Sequence, residues 1–179
     1  MTRRWIDAVV VGMEFCPWAS AVLDQPDGLS LKACTGDAVT RLTTVSQCLQ
    51  SMAAKGSPET QLLIAHEGLE SFESFLDFVS ESEDELSRLG FEGVLQLASF
   101  HPDYCFAGES FDDAANYTNR SPYPMLHILR EDSITRRIGD GDFARQVPER
   151  NIERARNLGN ERLSAIVREC IIGSGEPNV

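Results

Sequence analysis

Lysine is nearly absent from this chain of 179 residues, which contains only Lys32 and Lys55. The shortage of positive charge is greatest between residues 56 and 119, where Arg88 alone stands against fourteen Asp and Glu residues, a net charge of −13. Nucleic-acid binding requires a Lys and Arg surface that neutralises phosphates. The composition therefore argues against a nucleic-acid partner, and the overall charge of −12 is expected on solvated faces.

Long hydrophobic runs and paired cysteines are also missing. No uninterrupted apolar run approaches the roughly 18 residues that a membrane span requires, and the first residues do not resemble a signal peptide. The five cysteines are odd in number and scattered, without the spacing of a disulfide framework or a metal finger. These absences predict a soluble, cytoplasmic protein without membrane association, and they leave the oligomeric state open.

What the sequence does contain is an alternation of helical and strand patterns. Apolar residues recur at helical spacing in residues 3–13, 17–23, 37–54 and 72–89, and strand patterns occupy residues 29–34, 61–66 and 93–100. Strands separated by helices of this length imply right-handed crossovers and a largely parallel sheet. We therefore predict a single three-layer α/β domain over residues 1–172, with helices on both faces of a small sheet, a helical C-terminal part and a disordered tail at 173–179.

The stretch from residue 122 to residue 131 fits two structures. Ser121 is a good helix cap, and Pro122 and Pro124 would fall in the first turn, where a missing N–H group costs nothing. The alternative is a fourth strand over residues 125–129. The capping pattern favours the helix.

A candidate catalytic segment follows the third predicted strand, at the edge where parallel sheets bind ligands. His101 would act as acid, base or metal ligand, Asp103 would orient it, and Tyr104 would line the pocket, with Cys16 as a reactive group nearby. The structural alternative is that the aromatic residues fill the core beneath a turn while His101 is hydrogen-bonded to backbone.

An anion-binding group is predicted from Asn119, Arg120 and Ser121. If a helix begins at Ser121, its free N–H groups and the Arg120 guanidinium would attract a carboxylate or phosphate. The structural alternative for Arg120 is an ion pair with Asp103 or with the adjacent pair Asp112 and Asp113.

A divalent metal is a further candidate cofactor. His127 and Glu131 are four residues apart and would share one face of the predicted helix. With His101 and Asp103 they offer nitrogen and oxygen ligands suited to zinc, manganese or iron. An ordinary hydrogen-bonded His and Glu is the alternative.

Cys16 precedes Pro17, which favours the first position of a helix. A thiol at a helix N-terminus has a lowered pKa and can act as a nucleophile or redox sensor. Ala19 stands where a dithiol oxidoreductase would carry its second cysteine, so dithiol exchange is excluded. A buried, inert cysteine is the alternative.

Several of these segments resemble an uncharacterised bacterial family known as domain of unknown function 1415. The similar pieces are Phe15-Cys16-Pro17-Trp18, the run from Gly93 to Tyr104, and the run from Asn116 to Glu131. The resemblance covers about residues 3–160. It implies no activity, but it implies that these segments are the family's signature; the other four cysteines lie outside the pattern.

Three functions are consistent with this sequence. The first is an enzyme that acts on a small anionic substrate through a His, Asp and Arg pocket with a reactive Cys or a bound metal. The second is a non-catalytic module that binds a metabolite or metal in the same pocket. The third is a structural or interaction protein without a ligand site.

Overall fold

A computed structural model describes residues 1–54, 56–138 and 142–172. The tail predicted at 173–179 lies outside the described residues. Within the described residues, no helix is both long enough and apolar enough to cross a membrane.

Four strands form one mixed sheet in the order β1-β2-β4-β3. The strands are β1 (Leu29–Ala33), β2 (Thr60–Ile64), β3 (Leu95–Phe100) and β4 (Met125–Arg130). β1 and β2 pair in parallel, whereas β4 pairs antiparallel with both β2 and β3. The three predicted strands therefore run in the same direction, but only one of the three pairings is parallel because β4 lies between β2 and β3.

The helices precede, separate and follow these strands. They are α1 (Thr2–Trp5), a π-helix (Ile6–Val11), α2 (Ala19–Leu23), α3 (Ala38–Ala53), α4 (Phe72–Arg88), a 3₁₀ helix (Ala114–Thr118), α5 (Glu131–Ile138), α6 (Asp142–Leu158) and α7 (Asn160–Ile172). Asp37 caps α3 and Ser71 caps α4, each accepting a hydrogen bond from a backbone N–H group three residues on. The α/β class and the helical C-terminal part are confirmed.

The helix predicted from Ser121 is wrong, because residues 125–130 form strand β4. Met125, Leu126, Ile128 and Leu129 are all buried, so the segment is apolar on both faces, which suits a central strand. A helix here would leave the facing edges of β2 and β3 without partners. The Ser121 hydroxyl donates to the Tyr123 carbonyl instead of capping a helix.

Alternating side chains of the sheet separate two hydrophobic cores. Leu63, Leu126 and Ile128 pack with α3 and α4 on one face. Leu62, Ile64 and Met125 pack on the other face with the N-terminal helices, α6 and α7. This is the three-layer arrangement predicted from the alternation of helices and strands.

Candidate functional site

A cavity of about 190 Å³, partly open to solvent, lies between the second face of the sheet and the N-terminal helices. Its lining side chains come from all four strands, from α1 and the π-helix, from the turn before α2 and from α2 itself. They are Trp5, Ile6, Val10, Cys16, Trp18, Ala19, Val22, Leu23, Leu29, Thr60, Leu62, Ala98, Phe100, His127 and Leu129. The cavity is therefore apolar, with Thr60, His127 and Cys16 as its principal polar groups.

Strand alternation explains why these residues meet. Residues two apart on a strand share a face, so His127 and Leu129 of β4 project toward the cavity. In the sheet, His127 stands opposite Leu62 on one neighbour and Ala98 on the other. Because Ala98 has a small side chain, it leaves space beside the imidazole.

His127 is linked to the sheet through Thr60. The Thr60 hydroxyl contacts His127 Nε2 and lies 2.9 Å from the carbonyl oxygen of Ile128. The Phe100 ring lies 6.1 Å from the imidazole, centre to centre. The imidazole is thus fixed by one polar contact and surrounded by apolar groups.

Burial controls the ionisation of His127. The ring reaches the cavity, which gives it some accessible surface, but it is enclosed by protein, and this desolvation lowers its pKa from 6.5 to about 4. At neutral pH the side chain is therefore uncharged. A neutral imidazole can accept a hydrogen bond at one nitrogen and donate at the other.

Cys16 enters the cavity wall from the turn before α2. Burial raises the pKa of its thiol to about 11; the backbone N–H groups of Trp18 and Ala19 and the charge of Arg150 act in the opposite direction but are weaker. The expected lowering of the Cys16 pKa is therefore not supported. The helix behind the thiol begins at Ala19 and not at Pro17, and Trp18 occupies its cap position, so the helix start predicted at Pro17 is wrong.

Helix α6 holds the wall that contains Cys16. Asn151 donates from its side chain to the Phe15 carbonyl, and Arg150 donates to the Glu14 carbonyl at 2.7 Å. Arg154 pairs with the Glu14 carboxylate at 2.8 Å. These contacts stabilise Glu14 in a left-handed conformation (φ 52°), which is unusual for a residue other than glycine.

The predicted catalytic His101 lies outside this cavity. It is fully buried, its Nε2 is 3.0 Å from the Leu69 carbonyl, and its Nδ1 accepts from the Asp103 backbone N–H at 3.0 Å. Both ring nitrogens are thus engaged, and the ring packs on Phe72 and Phe75 of α4. This geometry corresponds to the structural alternative stated for His101.

Asp103 and Tyr104 likewise do not form a catalytic pair with His101 in this structure. Asp103 contacts His101 through its backbone N–H group, and the Asp103 side chain is exposed. The Tyr104 ring packs against Phe72 and Phe106, and its carbonyl accepts a hydrogen bond from Arg120.

The predicted anion-binding residues all have protein partners. The buried Arg120 donates to the Tyr104 and Phe111 carbonyls at 3.2 and 2.6 Å, and its guanidinium lies over the Phe111 and Tyr117 rings. Asn119 donates to the Ser99 carbonyl. No helix begins at Ser121, so the helix expected to attract an anion is wrong. The alternative, an ion pair with Asp103, Asp112 or Asp113, is not formed by Arg120 among the described residues, and Asp113 pairs with Arg156 instead.

The four predicted metal ligands are not brought together. His101 contacts α4 on one face of the sheet, whereas His127 lines the cavity on the other. Glu131 begins α5, so the shared helical face assumed for His127 and Glu131 does not exist. Among the described residues, no three His, Cys, Asp or Glu side chains are grouped so that they could hold a metal.

Sequence reasoning missed Thr60, Trp5, Trp18 and Phe100 as parts of a site. The available signal was the two-residue period of the strands, which places residues 98 and 100 on one face, as it does residues 60 and 62. That signal could not be combined with His127 while residues 122–131 were assigned to a helix.

The fold and cavity define an α/β protein with a mixed four-stranded sheet and an apolar pocket against one of its faces. The chain belongs to the family described as proteins of unknown function (DUF1415), whose model matches residues 1–165. The resemblance found in the sequence is thereby confirmed. No curated protein and no solved structure matches the chain.

The lowered pKa of His127 predicts a loss of stability in mild acid. Unfolding restores a pKa near 6.5, so the unfolded chain binds the proton first as pH falls, and stability decreases from about pH 6.5 toward pH 4. This one group should remove about 2 kcal/mol of unfolding free energy between pH 7.5 and 5. We expect the unfolding free energy, measured by urea denaturation, to depend less steeply on pH between 7.5 and 5 in His127→Leu than in the parent protein. The exposed His66→Gln is the control, and an unchanged slope in His127→Leu would contradict the prediction.

The contacts of Arg120 predict a structural role. Arg120→Ala removes two hydrogen bonds from a buried guanidinium to the Tyr104 and Phe111 carbonyls and two ring contacts, so unfolding free energy should fall by about 3 kcal/mol. Arg120→Lys should recover little, because an ammonium cannot reproduce the planar guanidinium. Exposed Arg136→Ala, which breaks a surface ion pair, should change stability by less than about 1 kcal/mol. An unchanged melting temperature in Arg120→Ala, with loss of stabilisation by phosphate, would instead favour the anion-binding role.

Proposed function

We propose that this protein binds a small, uncharged, largely apolar molecule in the cavity formed by the sheet and the N-terminal helices. The observation that carries this proposal is a partly open cavity of about 190 Å³ with an almost wholly apolar lining. A cavity of about 150 Å³ engineered into another protein already accommodates benzene. The volume here is suited to a single aromatic ring or a compact bicycle.

The character of the lining supports an uncharged ligand. Among the lining residues, His127 alone carries an ionisable base, and burial lowers its pKa to about 4. An anion in such a cavity would lose its hydration without gaining a partner of opposite charge. Ligand pockets in proteins typically combine an apolar surface with a few polar groups that orient the ligand, which here are His127, Thr60 and Cys16.

An enzyme that acts on a small anionic substrate has weaker support. Its expected groups, His101 and Arg120, are buried and bonded to backbone carbonyls. Its expected nucleophile, Cys16, has a raised pKa and is mostly thiol at neutral pH. Because His101, Arg120 and Cys16 are held in this way, the binding module is favoured among the functions considered from the sequence. This module requires neither an anion nor a divalent metal.

Tryptophan fluorescence tests this proposal directly, because Trp5 and Trp18 are the two tryptophans of the protein and both line the cavity. Benzyl alcohol should change the emission saturably, whereas benzoate of nearly the same size should not. Ala98→Leu should abolish the response by filling the space beside His127. The matched control is Ala107→Leu in an exposed loop, which should bind normally.

Two outcomes would contradict the proposal. One is saturable binding of benzoate with no binding of benzyl alcohol, which would favour an anionic ligand. The other is equal binding to the parent protein and Ala98→Leu, which would place the ligand outside the cavity.

A further inference from the structure

The hydrogen-bond arrangement around Thr60 restricts the chemistry of a ligand in this cavity. A threonine hydroxyl has one proton to donate and can accept through its oxygen. The Ile128 carbonyl, 2.9 Å from Thr60 Oγ1, can only accept. The Thr60 proton is therefore directed to Ile128, and the remaining contact of the hydroxyl oxygen, with His127 Nε2, must be one in which the hydroxyl accepts.

This assignment fixes the tautomer of His127. If Thr60 accepts, Nε2 carries the proton, and a neutral imidazole has only one N–H group. Nδ1 is then an acceptor with a free lone pair. Neutrality follows from the half-buried position of the ring among apolar groups, with no carboxylate among the cavity-lining residues.

Nδ1 has no hydrogen-bonding partner among the described residues, although the imidazole lines the cavity. The indole N–H of Trp5, which also lines the cavity, is already donated to the Arg120 carbonyl at 3.0 Å. The half-buried His127 is reached from the cavity, so solvent can serve this acceptor while no ligand is bound. A ligand that excludes solvent from Nδ1 without bringing a donor costs about 1–3 kcal/mol. An entering ligand avoids this cost only if it donates a hydrogen bond to Nδ1.

We infer that the ligand of this cavity is a compact aromatic or aliphatic molecule that donates an O–H or N–H group to Nδ1 of His127. The inference rests on the proposed function, since it identifies the ligand class of the same cavity. A phenol, an alcohol or an indole has the required donor. An ether, an ester or a ketone of equal size offers only acceptors, and its oxygen would face the Nδ1 lone pair.

The test compares three bicyclic probes of nearly equal shape by calorimetry and tryptophan emission. Indole has an N–H donor, benzofuran has an ether oxygen in its place, and indene has neither. Indole should bind about tenfold more tightly than benzofuran, the ratio expected for one net hydrogen bond. Indene should bind at least as well as benzofuran, because it presents no lone pair to Nδ1.

Two variants separate the tautomer from the shape of the cavity. Thr60→Ser keeps the hydroxyl and should retain the preference for indole. Thr60→Val keeps the volume but removes the acceptor for Nε2–H, so His127 can protonate either nitrogen and the preference should fall toward unity. In the unliganded parent protein, nitrogen-15 NMR of labelled histidine should show the proton of His127 on Nε2.

The outcomes separate the requirement for a hydrogen-bond donor from ligand binding in the cavity. If benzofuran and indole bind equally, or NMR places the proton on Nδ1, the donor requirement is wrong while binding in the cavity stands. If none of the three probes binds, the proposed function fails and the donor requirement fails with it. Tenfold selectivity that persists in Thr60→Val would also overturn the inference, because the selectivity would not then depend on the tautomer.

Discussion

The pairing of β4 with strands on both of its sides is the constraint on which the rest of the structure depends. β2 and β3 run in the same direction but do not touch, so each relies on β4 for the hydrogen bonds of its inner edge. The register of these two ladders decides which residues of β4 face which core. A shift by one residue would move His127 from the cavity to the core beneath α3 and α4 and replace it with Leu126 or Ile128.

The helices and strands of the first hundred residues were predicted well from the sequence because their signals are local. The helix predicted over residues 37–54 corresponds to Ala38–Ala53, and the strand predicted over 29–34 corresponds to Leu29–Ala33. Residues 122–131 misled the prediction because Ser121 and the two prolines match a helix start, while the need of β2 and β3 for a common partner is a tertiary effect. Local capping preference, worth about 1 kcal/mol, cannot compete with two complete strand ladders.

The two buried histidines show why the candidate site was harder to predict than the fold. His101 occurs in a distinctive aromatic segment, but backbone groups satisfy both of its ring nitrogens. His127 occurs in an ordinary apolar run. Its Nε2 contacts the hydroxyl of Thr60, 67 residues away in the chain, and its Nδ1 has no partner among the described residues. Neither the residue type nor the neighbours in sequence indicated which histidine lines a cavity. The two histidines differ in how many of their ring nitrogens are bonded to protein groups, which depends on tertiary contacts.

The attachment of Glu14 and Phe15 to α6 has a consequence for the order in which the protein can assemble during synthesis. Trp5 and Trp18 leave the ribosome before β4, which faces them and ends at Arg130. Arg150 and Asn151, which bond to the turn at Glu14 and Phe15, follow later still. Most of the chain must therefore be translated before the pocket can close. Until then its apolar wall is exposed to solvent and to other nascent proteins, and such transiently exposed surface makes a partly folded chain prone to aggregate.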